Sequence, residues 1–350
     1  MKILSVGSLS GQSNTCAHRN AALHKIAIVD EVNTRIKPTT LWGRIVYHLF
    51  LWGLPVREPE NNTENEQIKR LVKENHYDIV WIDKGNTIYA STLKYIKSVS
   101  PDTIIVSYSP DNIALRHNQS QQYLECIPLY DYHLNIRSNI IEKMKSLGAR
   151  NYIVVSKGYS KDFHYPRELS DSDMERLGGD VGFVGSWEQE RCESICYLAD
   201  HGVSVKVFGT GKWKEYINYN PNLHIILKGL YDDDYVKSFK AFKISLCFLR
   251  KINFDQFTSR TFEIPACGGF MMAERTEDHK RLFKEGKEAV FFSSNEELLD
   301  KCKYYLAHEE ERIAIAKAGR LRCEISDYSD EGVIKNAINQ ILTQHGSSNR

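Results

Sequence analysis

Gly182-Phe183-Val184-Gly185-Ser186-Trp187 reads as the end of a buried strand that turns on a glycine into a helix carrying Arg191. A short apolar run closed by a small residue and followed by helical periodicity is the repeating unit of a parallel α/β layer. Forward of it the unit recurs. Strands at Val203–Phe208, Leu223–Leu227, Ile244–Phe248, Gly269–Met272 and Ala289–Phe292 alternate with helices at Gln189–Ala199, Asp233–Ala241, Arg260–Ala266, Glu296–Ala307 and Glu309–Cys323. Behind it a separate series runs through Lys2–Val6, Asp78–Ile82, Thr103–Ser107, Tyr132–Asn135 and Tyr152–Val155, with helical stretches between them. From Ser156 to Asp180 glycine, proline and a Ser-Asp-Ser-Asp run break the pattern, as a linker and entry loop do. The expectation is an α/β protein of two Rossmann-like domains facing across a cleft. The first spans 1–160, a linker 161–180 and the second 181–328. A terminal helix in 329–350, about Asp330 to Leu342, crosses back onto the first domain ahead of a polar tail.

Length agrees with two domains, because 350 residues exceed what one hydrophobic core usually organises. With 42% hydrophobic and 26% charged residues the chain is ordinary globular material, and a net charge of +1 gives no global reason to bind nucleic acid. The eight cysteines are scattered and form no zinc-ligand spacing, so they read as structural thiols of a reducing compartment. The opening residues read as a strand rather than a signal peptide. The longest apolar-looking stretch, Leu41 to Leu54, is too short to span a bilayer and contains Arg44 and His48. A cytoplasmic location is expected. The tryptophans of that stretch admit a contact with the inner membrane face, against the plainer reading of a packed helix.

In parallel sheets ligands bind beyond the carboxyl ends of the strands. In the first half, Gly7-Ser8-Leu9-Ser10-Gly11 follows strand one without the spacing of a dinucleotide fingerprint. His18 and Arg19 sit at the start of the next helix, where His18 could move a proton and Arg19 could meet an anion. Asp111, behind Pro110, is placed as a base or hydroxyl acceptor, or as an ordinary Asx turn. Asp83-Lys84-Gly85 has the same position on another strand.

In the second half, Gly185 and Ser186 open onto the helix of Arg191. Gly209, Lys212 and Trp213 repeat that logic one strand later, with lysine as a point charge and Trp213 or Trp187 as a stacking surface. The richest stretch runs from Asp255 through Thr258, Ser259 and Arg260 to Glu263 and Gly268. A carboxylate at Glu263, flanked by apolar residues, requires a partner. Vicinal ribose hydroxyls would serve, and so would an ion pair with Arg260.

Thr258 to Phe292, together with Ser107 to Asp111, Gln119 to Asp131 and Val181 to Trp187, resembles the group-1 glycosyltransferases, in particular their spore-maturation-protein (CgeB-like) branch. The resemblance implies a GT-B fold whose second domain holds a nucleotide-sugar donor, a UDP-sugar first among the choices. It implies Glu263 on the donor ribose, and Arg260, Arg191, Lys212, Arg250 and Lys251 as the pool facing the diphosphate. Where retaining members carry a second glutamate this chain has Asp255, which leaves the stereochemical class open. It further implies that neither a metal nor a cofactor is needed, since basic side chains and helix dipoles can stabilise the leaving diphosphate. The acceptor, a hydroxyl on a glycan, lipid-linked sugar or protein, would arrive near Ser8, His18 and Asp111. If the reaction inverts, Asp111 or His18 would be the base, and if it retains no such base is required; Arg260 would be the catalytic cation in either case. A non-catalytic nucleotide-sugar-binding or scaffold protein, and an isomerase or periplasmic-binding module on the same plan, are the competing readings.

Overall fold

The computed structural model describes residues 1–34, 40–54, 56–60, 62–251 and 254–348. They form two compact units, one of residues 1–157 with 330–350 and one of residues 158–329.

In the first unit six parallel strands follow the order β2-β1-β3-β4-β5-β6. These are β1 Lys2–Gly7, β2 Ile28–Asn33, β3 Ile79–Asp83, β4 Ile104–Ser109, β5 Tyr132–Asn135 and β6 Tyr152–Val154. The central strands are apolar because helices cover both faces, the condition a parallel sheet imposes. All five residues of β3 are buried, and Trp81 stacks on Tyr108 of β4 at 5.6 Å. Strand β2 was not foreseen. It is an edge strand with Asp30 and Glu31 in its middle, only Val32 is buried, and Ile28 is 69% exposed. Charge on an edge is how sheets avoid further pairing, and it also hides the strand from an apolar pattern. The C-terminal helix Asp330–Ser348 belongs to this unit, packs on the helix Thr15–Ile26, and joins Glu331 to Lys25.

The second unit has the order β12-β11-β10-β7-β8-β9, again all parallel. Its strands are β7 Gly179–Val184, β8 Val205–Phe208, β9 Leu223–Ile226, β10 Phe242–Cys247, β11 Met271–Glu274 and β12 Val290–Phe292. Phe183, Trp213, Phe248 and Phe292 share its core. Gly182 lies where a side chain cannot, since a Cβ would stand 2.1 Å from the Phe242 ring. The expected linker 161–180 is more structured than its composition suggested. It carries the helix Asp171–Leu177, started by a capping box between Ser170 and Asp173, and is part of the second unit.

Each sheet reverses its strand order once, and there the helices on either side diverge to leave a crevice. In the first unit the reversal falls between β1 and β3; in the second it falls between β7 and β10.

Candidate functional site

The first reversal point opens into a cavity of about 280 Å³. Arg19 and Asp83 meet there, buried. The Arg19 Nε donates to Asp83 Oδ2 at 2.7 Å, Nη2 lies 2.7 Å from the same oxygen, and the guanidinium stands 4.5 Å from the centre of the Tyr108 ring. Burial works against the Arg19 charge but Asp83 outweighs it, so its pKa is raised. Arg19 is therefore neutralised within the unit rather than left free for an anion. The other oxygen, Asp83 Oδ1, is buried with no hydrogen-bond partner among the described residues.

Lys84 follows with φ 68°, a left-handed conformation that side chains rarely adopt and that recurs at functional sites. Its ammonium lies 2.7 Å from Asp111 Oδ2. Burial pushes the Asp111 carboxyl up, but Lys84, with Lys157 and Arg137, outweighs this and holds it below the usual carboxylate range. Asp111 and Ser8 line the cavity as expected of them. A carboxylate stabilised in this way is an anchor and a poor base. His18 does not line the cavity. Its Nε2 lies 2.5 Å from the Gln12 carbonyl oxygen at the head of its helix. Neither residue keeps the proton-accepting position the sequence suggested for it.

A residue that the sequence reading overlooked does line the cavity. Glu58 is 7% exposed, its backbone N–H donates to Gln122 Oε1 at 3.0 Å, and its carbonyl accepts from Gln122 Nε2 at 2.5 Å. Its Oε2 has no hydrogen-bond partner among the described residues. Burial, reinforced by Glu64 and opposed by Lys84, raises its pKa to about 7. Glu58 follows no strand, so the rule of searching strand ends could not find it.

At the second reversal point Arg191 joins the segments that follow β7 and β10. Its Nη1 donates to the Ser186 carbonyl at 3.3 Å and its Nη2 to the Leu249 carbonyl at 3.2 Å, while Nε is buried without a partner among the described residues. Burial, offset in part by Glu188 and reinforced by the charges of Arg260 and Arg250, lowers its pKa. Arg250 is paired with Glu188 at 2.9 Å. Arg260 starts the helix Arg260–Ala266, and its Nε too is buried with no hydrogen-bond partner among the described residues. Arg191 Nη2 also lies 3.5 Å from Glu188 Oε2; a buried Nε–H left without a partner is costly to fold around, and an acceptor oxygen of a ligand would complete it.

Gly185 and Gly209 bring the ends of β7 and β8 together. A Cβ at Gly209 would stand 2.3 Å from the Gly185 carbonyl, which accepts from Trp213 Nε1 at 3.1 Å. Trp213 is thus a core residue and offers no stacking face. Trp187 remains half-buried with the exposed Lys212 ammonium 4.8 Å from its ring centre. Ser186 is exposed. The helix of Arg191 begins after Glu188, which brings an acid to its amino terminus.

The loop before Arg260 is pinned by a buried chain of hydrogen bonds. Thr258 N–H donates to Thr261 Oγ1 at 3.0 Å, which lies 2.9 Å from His279 Nε2, and His279 Nδ1 lies 2.6 Å from the Glu274 carbonyl. Burial lowers the His279 pKa and keeps the ring neutral, so Nδ1 carries the proton and Nε2 accepts from Thr261. Ser259 sits half-buried at the cap and Asp255 is half-buried beside Arg250. Gly268 closes the helix with φ 79°.

Glu263, the residue expected on a ribose, already has partners within the unit. Its side chain is 6% exposed, Oε2 accepts from the Tyr235 hydroxyl at 2.6 Å, and Oε1 lies 3.6 Å from His164 Nε2. It makes no ion pair with Arg260; its hydroxyl partner Tyr235 comes from the helix Asp232–Ala241. The stretch missed its partner because Tyr235 and His164 lie far away in sequence.

Among the described residues no group of three His, Cys, Asp or Glu side chains is arranged to hold a metal ion, and no helix is long and apolar enough to cross a membrane. The eight cysteines are all buried and free.

Residues 191–339, a little under half of the chain, match a family described as glycosyl transferase-like. No curated protein matches the chain. Among solved structures it is similar in fold to Anabaena HepE in complex with UDP-glucose, at 13% identity over 98% of this chain and 100% of that one, with a TM-score of 0.63. Sucrose-phosphate synthase from Thermosynechococcus elongatus is similar at 12% identity over 99% and 100% of the two chains, with a TM-score of 0.64. The UDP-N-acetylglucosamine 2-epimerase fold from Listeria monocytogenes is similar at 11% identity over 99% and 97%, with a TM-score of 0.55. The two-unit α/β architecture is the one these proteins share, the GT-B class.

Proposed function

We propose that the chain is a glycosyltransferase that takes a sugar from a nucleotide-sugar donor, a UDP-sugar in the first instance, and passes it to an acceptor hydroxyl without a metal ion. The observation that carries this reading is the pair of guanidinium groups at the β7/β10 reversal, Arg191 and Arg260, whose buried Nε atoms have no hydrogen-bond partner among the described residues. A diphosphate supplies several charged acceptor oxygens to planar donors of this kind. The matched family covers this stretch, and the UDP-glucose complex of HepE supports the nature of the donor. Arg260, Arg191, Lys212 and the Ser186 turn would bind the diphosphate, and Arg260 would stabilise the charge that develops as it leaves. Thr258, Ser259 and Asp255 would border the sugar. Glu263 would hold Tyr235 and His164 and so fix the helix that presents Arg260. The spore-maturation-like branch is kept as the relationship that the resemblance suggests.

The first unit would receive the acceptor. Among glycan, protein and lipid-linked acceptors, the helix Leu41–Leu51 favours the last. Tyr47, Phe50 and Leu51 line the cavity, while Trp42 and Trp52 are 70% and 76% exposed beside it, with Leu41 and Ile45 on the same outer face. Paired tryptophans on an apolar face suit the surface of a membrane.

Thermal unfolding with UDP-, GDP-, ADP- and CMP-sugars tests donor binding, and release of nucleoside diphosphate tests the chemistry. A nucleotide that stabilises the protein but is never released by wild type in the presence of sugar, glycolipid and protein acceptors would favour a non-catalytic binding protein. Formation of a free epimerised sugar would favour epimerase chemistry on the same fold.

A further inference from the structure

We propose that the outer face of the helix Leu41–Leu51 is a docking surface for an anionic lipid bilayer, against which the helix lies in the plane of the headgroups. The inference goes beyond the transferase reading, because it rests on one helix of the first unit and needs no nucleotide site.

The helix is apolar on two opposite faces. Gly43, Val46 and Phe50 are buried against the first unit at the spacing of one helical face. Leu41, Ile45 and Trp52 follow the same spacing on the opposite face, and they are 76%, 46% and 76% exposed. A helix that is apolar all round belongs in a core or in lipid, and here only half of it has a core. The element is well defined at its start, where the Gly43 N–H donates to the Thr40 hydroxyl at 3.0 Å. An apolar face held out on a formed helix marks a contact surface.

Charge identifies what covers it. Between Glu31 and Glu58 the sequence holds no Asp or Glu, while it holds Arg35, Lys37, Arg44 and Arg57. Arg57 is taken up by Glu125; Arg44 is exposed, one turn from Leu41 and one from His48. An acid-free apolar face with basic residues complements an anionic headgroup layer. It does not complement itself, since a twofold interface through this face would set Arg44 close to its own copy with no acid from the segment between them. Eleven residues are too few to cross a bilayer, so the helix lies on the surface and does not span. Trp42 and Trp52 stand at its two ends, and an indole with an apolar body and an N–H tip suits the interface. His48, the one polar residue within the outer stripe, can likewise keep its ring tip among the headgroups.

Docking has a consequence for the cavity. The same helix gives Tyr47, Phe50 and Leu51 to the cavity wall. A docked protein therefore has its cavity about one helix diameter, roughly 10 Å, from the lipid surface.

Flotation of the full-length protein with phosphatidylglycerol vesicles, and separately with phosphatidylcholine vesicles, tests the proposal on wild type, Ile45→Asp, Arg44→Gln and Ile325→Asp. Ile325, 73% exposed on the second unit, is the control for an exposed apolar side chain. Wild type should bind phosphatidylglycerol at least fivefold more strongly than phosphatidylcholine. Binding should weaken as salt rises from about 0.05 M to about 0.5 M. Ile45→Asp should lose at least tenfold and Arg44→Gln about fivefold, the worth of one basic group at an anionic surface. Ile325→Asp should stay within twofold. Should Ile45→Asp lower the melting temperature, Leu41→Asp in the first turn takes its place. Brominated phosphatidylglycerol should quench tryptophan fluorescence, and Trp42→Phe with Trp52→Phe should remove that quenching. Absence of flotation, equal binding to both lipids, or an aspartate variant within twofold of wild type overturns the proposal. So does a dimer in sedimentation velocity that Ile45→Asp dissociates while wild type fails to float, which would make a second copy the occupant. Nucleotide binding and turnover, measured without vesicles, decide the transferase reading separately.

Discussion

The Tyr235 hydroxyl donates to Glu263 Oε2 across 2.6 Å, joining the helix that precedes β10 to the helix that follows it. With His164 on the other side, this contact encloses the carboxylate within the second unit.

Tyr235→Phe removes that donor and leaves the carboxylate oxygen unsatisfied. The expected cost is about 1–3 kcal/mol of stability, read as a lower melting temperature. The Kd for UDP, measured by titration calorimetry, is expected to stay within about threefold. A large loss of UDP affinity would show that Glu263 contacts the nucleotide after all.

Arg260→Met should separate stability from binding. The Nε of Arg260 is buried with no hydrogen-bond partner among the described residues, so replacement by an apolar chain of similar length should leave the melting temperature unchanged or raise it. UDP affinity should fall by about 10–100-fold, the worth of one charged hydrogen-bonding group. A site built for a ligand often carries such a cost to folding.

Much of this architecture was legible because a parallel sheet buries its strands on both faces. Ile79–Asp83 and Ile104–Ser109 are buried throughout, and Gly148 and Gly268, at positive φ, mark the ends of helices. Strand β2 escaped because Asp30 and Glu31 face outward on an edge. In the site, position was readable and partnership was not. Asp83, Asp111 and Arg191 lie at strand ends and helix starts where they were sought. That Arg19 would be neutralised by Asp83, or Glu263 enclosed by Tyr235, depends on residues 64 and 28 positions apart. Glu58 had no local signal, since its proton affinity comes from burial and from Glu64.

Glu58 should govern pH-dependent stability. Its folded pKa, about 7, lies above that of an unfolded glutamate, so the protonated form is favoured by folding. The associated stability is present in acid and is lost as pH rises through 7. By pH 8 wild type should be less stable than Glu58→Gln by on the order of 3 kcal/mol, a gap that narrows toward pH 5. Urea unfolding at the two pH values checks both sign and size.

Gly209→Ala places a methyl group against the Gly185 carbonyl and the Trp213 ring. Neither can retreat, because they are bonded to each other. A loss of about 1–3 kcal/mol is expected, with weakened UDP binding because the Ser186 turn shifts. Gly202→Ala, in open space though at positive φ, serves as the comparison.

Trp42→Ala with Trp52→Ala should abolish co-sedimentation with phosphatidylglycerol vesicles while leaving the melting temperature within about 1 °C, since both rings are exposed. Unchanged vesicle binding would remove the case for a lipid-linked acceptor.

Titration calorimetry of UDP into wild type and Arg260→Met bears most directly on the β7/β10 reversal as a diphosphate site. Saturable one-to-one binding that weakens at least tenfold in the variant is the predicted result. No heat of binding for UDP, GDP, ADP or CMP, or an affinity indifferent to Arg260, would contradict it.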